Sequence, residues 1–349
     1  MASQSIRRIV LPWLAAALTL LALPVDGSIL QTSRKVAALQ DDAAYQALMD
    51  AANAVVGIKV KAIRNARSNE SLGVERAGSG IVISPQGLVL TIGYLILEAD
   101  TVEIVDSSEL TVPAAVVAYD HATGFGLIRP LAPIKTTPIR IGTAKPVTQL
   151  DRLMIVTGGQ EQTISIATVV AKRQFAGYWE YLIDNAIFTS PPRFDHSGAA
   201  LINKDGELVG VGSLFVMDAV TPGERMPGNM FVPVDLIKPI LEEMVRTGTQ
   251  KQANRPWIGV NSREEDGRVK VMQVNEDSPA DAAGIQAGDI ILSVHGEPVT
   301  SLENFYTKLW SRGSAGSPVR MTVLQGVSTR DITVTSIDRK DFLRKKQGI

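Results

Sequence analysis

Residues 278–305 read SPADAAGIQAGDIILSVHGEPVTSLENF. Two helical segments stand here, SPADAAG and SLENFYTKLWSR, and each opens on a serine. Ser278 and Ser301 have side-chain oxygens that can accept from the first-turn backbone N–H groups, which suits an N-cap. DIILSVHG between them reads as a strand, and Gly284, Gly288 and Gly296 read as turn and packing positions. On either side PWIGV, GRVKVMQV, PVRMTVLQ and TRDITVTSID are further short strands. Together they predict a compact α+β domain of about 85 residues, large enough to fold around its own core.

Upstream the pattern changes. TQKQANRP is a polar linker, placed at 248–255, and VDLIKPILEEMVRTG before it predicts a helix capped by Asp235 and stopped by Gly248. Earlier still come short apolar runs punctuated by Gly, Pro or Asp, among them GSGIVISPQGLVLTIGYLI, LTVPAAVVAYD, YWEYLIDNAIFTS and AALINKDGELVGVGSLFV. Many short strands with tight-turn signals such as SPQG and NKDG predict an all-β barrel or sandwich. DDAAYQALMDAANAVVGIKV begins as an amphipathic helix and passes into a strand at Val55–Val60. The terminal RKDFLRKKQG is basic and polar and reads as a solvated end.

At 349 residues with 45% apolar side chains and a formal net charge of −1, the chain has room for two or three cores. It lacks the basic bias of a nucleic-acid or anionic-lipid partner. With no cysteine, disulfides, thiol chemistry and cysteine-ligated zinc are excluded, and the three histidines are too scattered to suggest a metal centre. No cofactor is expected. Arg7 and Arg8 precede IVLPWLAAALTLLALPV and the small residues DGS. Residues 1–27 therefore read as a secretory signal peptide, or as an inner-membrane anchor if retained. Either places the remainder outside the cytoplasm, in a bacterial periplasm.

SPADAAGIQAGDIILSVHGEPVTSLENF closely resembles the PDZ module of HtrA-type envelope proteases. GSGIVISPQGLVLT, AAVVAYDHATGFGLI and SGAALINKDGELVGV follow in the order of the same family's trypsin-like domain. The resemblance implies an all-β trypsin-like double β-barrel at 40–247 followed by an α+β PDZ domain at 256–340. It also implies a groove receiving C-termini or extended segments of partners. The carboxylate would sit on the backbone N–H groups of Trp257, Ile258, Gly259 and Val260, and the peptide would lie against the helix starting near Leu302. Plain core packing is the alternative role for Trp257 and Ile258. Homo-oligomers, trimers by resemblance, and pairing with an active protease relative are further implications.

In RFDHSGAAL, residues 193–201, the resemblance puts Ser197 at the nucleophile position. A serine hydroxyl needs a base within hydrogen-bond reach and a third group to orient that base. The family's histidine position is Tyr94 here, in TIGYLI, and its aspartate position is Gly124, in HATGFGLI. Asp195 replaces the first glycine of the oxyanion hole, adding charge of the wrong sign. Ser197 is accordingly expected to be inert, and the chain to be a protease-derived peptide-binding adaptor, chaperone-like module or regulator. The alternative is an active endopeptidase of envelope quality control, rewired through His121 or His196 with Asp120 or Asp195 orienting the ring. Otherwise, His121 is a turn residue and His196 a loop residue. A purely structural or assembly role is the third reading.

Overall fold

The computed structural model describes residues 42–106, 108–159, 162–248 and 254–345. The expected N-terminal export segment and most of the linker lie outside the described residues.

A helix ending at residue 53 leads into β1. Strands β1 (Val55–Ala62), β2 (Glu75–Val82), β3 (Val89–Ile92), β4 (Ala99–Val105), β5 (Thr111–Tyr119) and β6 (Phe125–Pro130) close into a barrel in the order β1-β2-β3-β6-β5-β4. The second half of β1 shows the period of two that barrel closure requires: Val60 and Ala62 are buried while Lys59 and Lys61 face water.

The second sheet comprises β7 (Arg140–Ile141), β8 (Arg152–Thr157), β9 (Thr163–Gly177), β10 (Tyr181–Ser190), β11 (Ala200–Ile202), β12 (Glu207–Val216) and β13 (Gly228–Pro233). Its order is β11-β8-β9-β10-β13-β12-β7, and an additional β11–β12 pairing closes it. Of the two β architectures left open by the sequence, the barrel is the one adopted. Leu90, Ile104 and Phe125 from the first barrel and Val156, Phe188 and Met230 from the second are buried in one continuous core.

The C-terminal module is built on β14 (Val260–Glu265), β15 (Arg268–Val274), β16 (Ile290–Val294), β17 (Glu297–Pro298), β18 (Pro318–Gln325) and β19 (Ser328–Thr335). Both serine caps form: Ser278 accepts from Asp281 N at 3.3 Å and Ser301 from Asn304 N at 3.1 Å. The Leu302–Trp310 helix buries Phe305, Tyr306 and Leu309 against the sheet. Burying a side chain of this size stabilises by about 2–3 kcal/mol relative to leaving it exposed.

Two expectations need correction. Asp235 does not cap a helix. Residues Val234–Leu236 form a 3-10 turn, and the α-helix starts only at Leu241, after Pro239, whose ring and missing N–H disfavour an earlier start. The Asp235 carboxylate instead accepts from Thr143 Oγ1 at 2.7 Å and Ala144 N at 2.6 Å. The basic tail is not simply solvated either. Phe342 packs on Trp257 with ring centroids 4.5 Å apart, Arg67 lies over the Phe342 ring, and Arg344 N donates to Glu98 at 2.7 Å. One aromatic side chain and the backbone dock a segment whose composition is polar.

Candidate functional site

Ser197 sits in a tight turn entering β11. Gly198 makes the turn possible: its φ is +75°, and a Cβ there would lie 2.0 Å from the Ser79 carbonyl oxygen. The Ser197 carbonyl accepts from Ser79 N at 2.8 Å and Gly198 N donates to Gly212 O at 2.8 Å, so the loop is pinned to both barrels.

Tyr94 lies in the 3-10 turn after β3. Arg76 holds that turn from below, donating to the carbonyls of Tyr94 at 3.0 Å and Leu97 at 2.7 Å. The phenol oxygen is 2.7 Å from Ser197 Oγ and 2.7 Å from the Ser213 carbonyl oxygen. A phenol has one proton, and a carbonyl can only accept. The Tyr94 proton therefore goes to Ser213, and the Ser197 hydroxyl fills the remaining role by donating to the phenol oxygen. Burial pushes the Tyr94 pKa up to about 12, with the Ser197 contact opposing weakly. At neutral pH fewer than about one phenol in 10,000 would be ionised.

Gly124 is next to this turn, its carbonyl accepting from Gly93 N at 2.7 Å. The space a side chain at 124 would need is occupied: an added Cβ would come within 2.8 Å of Tyr181 Oη, and φ at 124 is +78°. Tyr181 Oη donates to Thr123 O at 2.7 Å. Sequence reasoning overlooked Tyr181, although YWEYL stood in view.

Asp195 carries its charge differently from the expectation. Arg193 grips the carboxylate with Nε at 2.8 Å and Nη2 at 2.5 Å, and Thr163 Oγ1 lies 3.2 Å away. Burial raises the Asp195 pKa, but the Arg193 hydrogen bonds and charge outweigh it and hold the carboxyl below the usual range. The negative charge is present but compensated.

Neither histidine is bonded to Ser197 among the described residues. His121 packs edge-on against Tyr119 at 4.3 Å, and its Nδ1 is buried without a hydrogen-bond partner. Burial first, then Arg339 and Lys340, hold its pKa well below the ordinary value. His196 Nδ1 is 3.1 Å from the Arg193 carbonyl oxygen, so that nitrogen carries the proton. Burial lowers its pKa as well, against that hydrogen bond. Asp120 orients neither ring; its carboxylate accepts from Thr123 N at 2.8 Å and Thr123 Oγ1 at 2.5 Å.

In the C-terminal module the loop from Trp257 to Val260 does present a row of N–H donors, but none is vacant. Trp257 N donates to Ile337 O at 3.0 Å. Ile258, Gly259 and Val260 N donate to the Glu180 carboxylate at 3.2, 2.7 and 3.1 Å. Leu302, at the start of the facing helix, is buried and its N–H donates to Glu264 at 3.2 Å. Between this loop and Tyr94 lies a cavity of about 660 Å³, lined by Trp179, Tyr181, Ser213, Trp257 and Phe342 among others.

Residues 78–211 match the trypsin-like peptidase domain and residues 256–335 the PDZ domain. The chain therefore joins a trypsin-like domain to a PDZ domain, as HtrA-type proteases do. Serine endoprotease DegS of Haemophilus influenzae is 26% identical over 326 residues, covering 89% of this chain and 91% of that protein. A probable periplasmic DegP-like serine endoprotease of Pseudomonas putida is 24% identical over 289 residues, covering 78% of this chain and 58% of the relative. The crystal structure of a serine endoprotease from Yersinia pestis superposes with a TM-score of 0.51 at 23% identity, covering 84% of this chain and 97% of the other. That likeness concerns the fold. In the PDZ domain β14 and the Leu302–Trp310 helix, the two elements between which the sequence reading expects a peptide, are linked by the bond from Leu302 N to Glu264.

Proposed function

We propose that this protein is an exported, proteolytically silent homologue of HtrA-type serine proteases that captures C-termini or extended segments of other proteins in its PDZ groove and acts in the cell envelope as an adaptor. The observation that supports this most is the Tyr94 phenol standing against Ser197. Nucleophilic attack by Ser197 requires its proton to move to a base during the step. Here that proton rests on a phenol oxygen whose own proton serves Ser213, and the phenol pKa is far above neutrality. The rewired-base alternative draws no support from His121, whose ring packs on Tyr119, or from His196, whose Nδ1 donates to the Arg193 carbonyl; neither is bonded to Ser197, and burial holds both below their ordinary pKa. The three converging N–H groups at 258–260 support the binding half of the proposal, since they suit a carboxylate ligand. The apolar run after Arg7 and Arg8 supports export.

Purified protein and Ser197→Ala, incubated with denatured casein, are expected to release equal, background amounts of fragments. Ser197 is expected to resist a fluorophosphonate that labels activated serines. Fragment release by the wild type that vanishes in Ser197→Ala would overturn the silent reading.

A further inference from the structure

We infer that the PDZ groove of this chain is a self-liganded site: the tip of the β9–β10 hairpin, residues 178–180, is its resident ligand, and a foreign C-terminus binds by displacing it. The inference rests on the proposal above that the groove is a peptide receptor.

Four observations carry it. The Glu180 side chain places both carboxylate oxygens on the N–H groups of Ile258, Gly259 and Val260, an arrangement suited to a peptide's terminal carboxylate. The tip also pairs with the groove wall as an added strand would, Ser262 N donating to Tyr178 O at 2.8 Å. The opposite wall closes on the same turn: Tyr306 Oη donates to Gly177 O at 2.7 Å and accepts from Glu180 N at 3.2 Å. Finally, Ala176 and Leu182, cross-strand neighbours just behind the tip, pack against the PDZ core. The tip is thus held at both walls and at its base.

The backbone at Glu180 adds to this. Its φ is +57°, a left-handed conformation in a three-residue hairpin loop, where glycine is the low-cost residue. A glutamate there bears a conformational cost, and the three N–H contacts of its carboxylate offset it. The residue is 6% exposed. The charged and titratable groups around it are Tyr306 on the helix, Asp338 and Arg339 on the C-terminal segment, and Asp120, His121 and Arg255, which with Asp338 and Arg339 line a small cavity shared with Glu180. An intramolecular ligand acts at an effective concentration of order millimolar, so an external peptide meets a groove that is mostly filled.

The test uses the full chain as wild type, Glu180→Ala and Glu180→Gln, the glutamine variant keeping the side-chain size. Amide hydrogen exchange over 258–262 reads the contact directly. Binding of fluorescein-labelled decapeptides ending in Val, Leu or Phe, as free acids and as C-terminal amides, reads the competition. Exchange should accelerate in both variants, and free-acid peptides should bind Glu180→Ala at least about tenfold more tightly than wild type. Amidated peptides should show no such gain. Unchanged exchange in both variants, with free-acid binding equal to wild type, overturns the inference and leaves the receptor proposal standing. Faster exchange with no free-acid peptide binding to any form supports the resident contact and sinks the receptor proposal.

Discussion

Replacing Tyr94 by Phe removes one oxygen from the centre of the trypsin-like domain, and the structure sets what that should cost. Ser213 is 3% exposed and sits where the β12–β13 register shifts, so its carbonyl relies on the phenol rather than on a regular ladder. Orphaning a buried acceptor costs about 1–3 kcal/mol, and the midpoint, about 2 kcal/mol, is the expected loss. Ser197→Ala removes only a donor to the phenol oxygen and leaves the Tyr94–Ser213 bond intact; about 0.5–1 kcal/mol is expected. Urea unfolding of the full chain, followed by tryptophan fluorescence at constant slope, measures both. With a slope of roughly 3 kcal/mol/M, Tyr94→Phe should lower the midpoint by about 0.7 M and Ser197→Ala by less than half of that. Equal losses in the two variants would refute the proton assignment, because they would mean that the phenol donates to Ser197 and that Ser213 is not its principal acceptor. Tyr94→Phe should not release casein fragments under any outcome consistent with the assignment.

Gly124→Asp, the substitution that would nominally rebuild a triad aspartate, should instead destabilise by more than about 2 kcal/mol, since it combines a left-handed backbone with overlap on Tyr181 Oη. Adding Tyr181→Phe should recover part of the loss in thermal unfolding, while full recovery would show that the backbone conformation is not limiting. The Glu180 contact should be pH-dependent. Burial raises its carboxyl from 4.5 to about 7, against the N–H groups of Gly259, Val260 and Ile258 and the charge of Arg339. The docked form therefore binds the proton more tightly than the undocked one, and its extra stability, on the order of 3 kcal/mol, is complete below pH 4.5 and lost as pH rises to about 7. Free-acid peptides should bind wild type better at pH 8 than at pH 5.5 and bind Glu180→Gln with little change; equal dependence in both proteins would remove Glu180 as the cause.

The two-part architecture was legible because its signals are local. The strand signal at Val55–Val60, the NKDG turn and the Ser278 and Ser301 caps are set by residues within a few positions of one another. What escaped depends on distance in the chain. Glu180 meets Gly259 across 79 positions, and nothing in YWEYL marks the glutamate as a ligand. Arg193 is a different case: it stands only two residues before Asp195, and that spacing could have announced the ion pair. The tail misled because charge dominates its composition, whereas its docking depends on Phe342. Tyr94 was identified as a substitution, but its second acceptor, Ser213, lies at a register shift that no sequence pattern displayed.

Strand β9 has a consequence for how the molecule carries force. At its first residue, Thr163 Oγ1 accepts from Arg193 at 2.6 Å and lies 3.2 Å from Asp195, beside the Ser197 turn. At its last, Gly177 O accepts from Tyr306 of the PDZ domain. A strand of 15 residues, spanning on the order of 45 Å when straight, is stiff along its axis. Two irregularities in its pairing with β10 give it places to bend. The hairpin is thus a tie-rod anchored in both halves of the protein, and pulling its tip from the PDZ domain loads a beam whose far end braces the Ser197 loop.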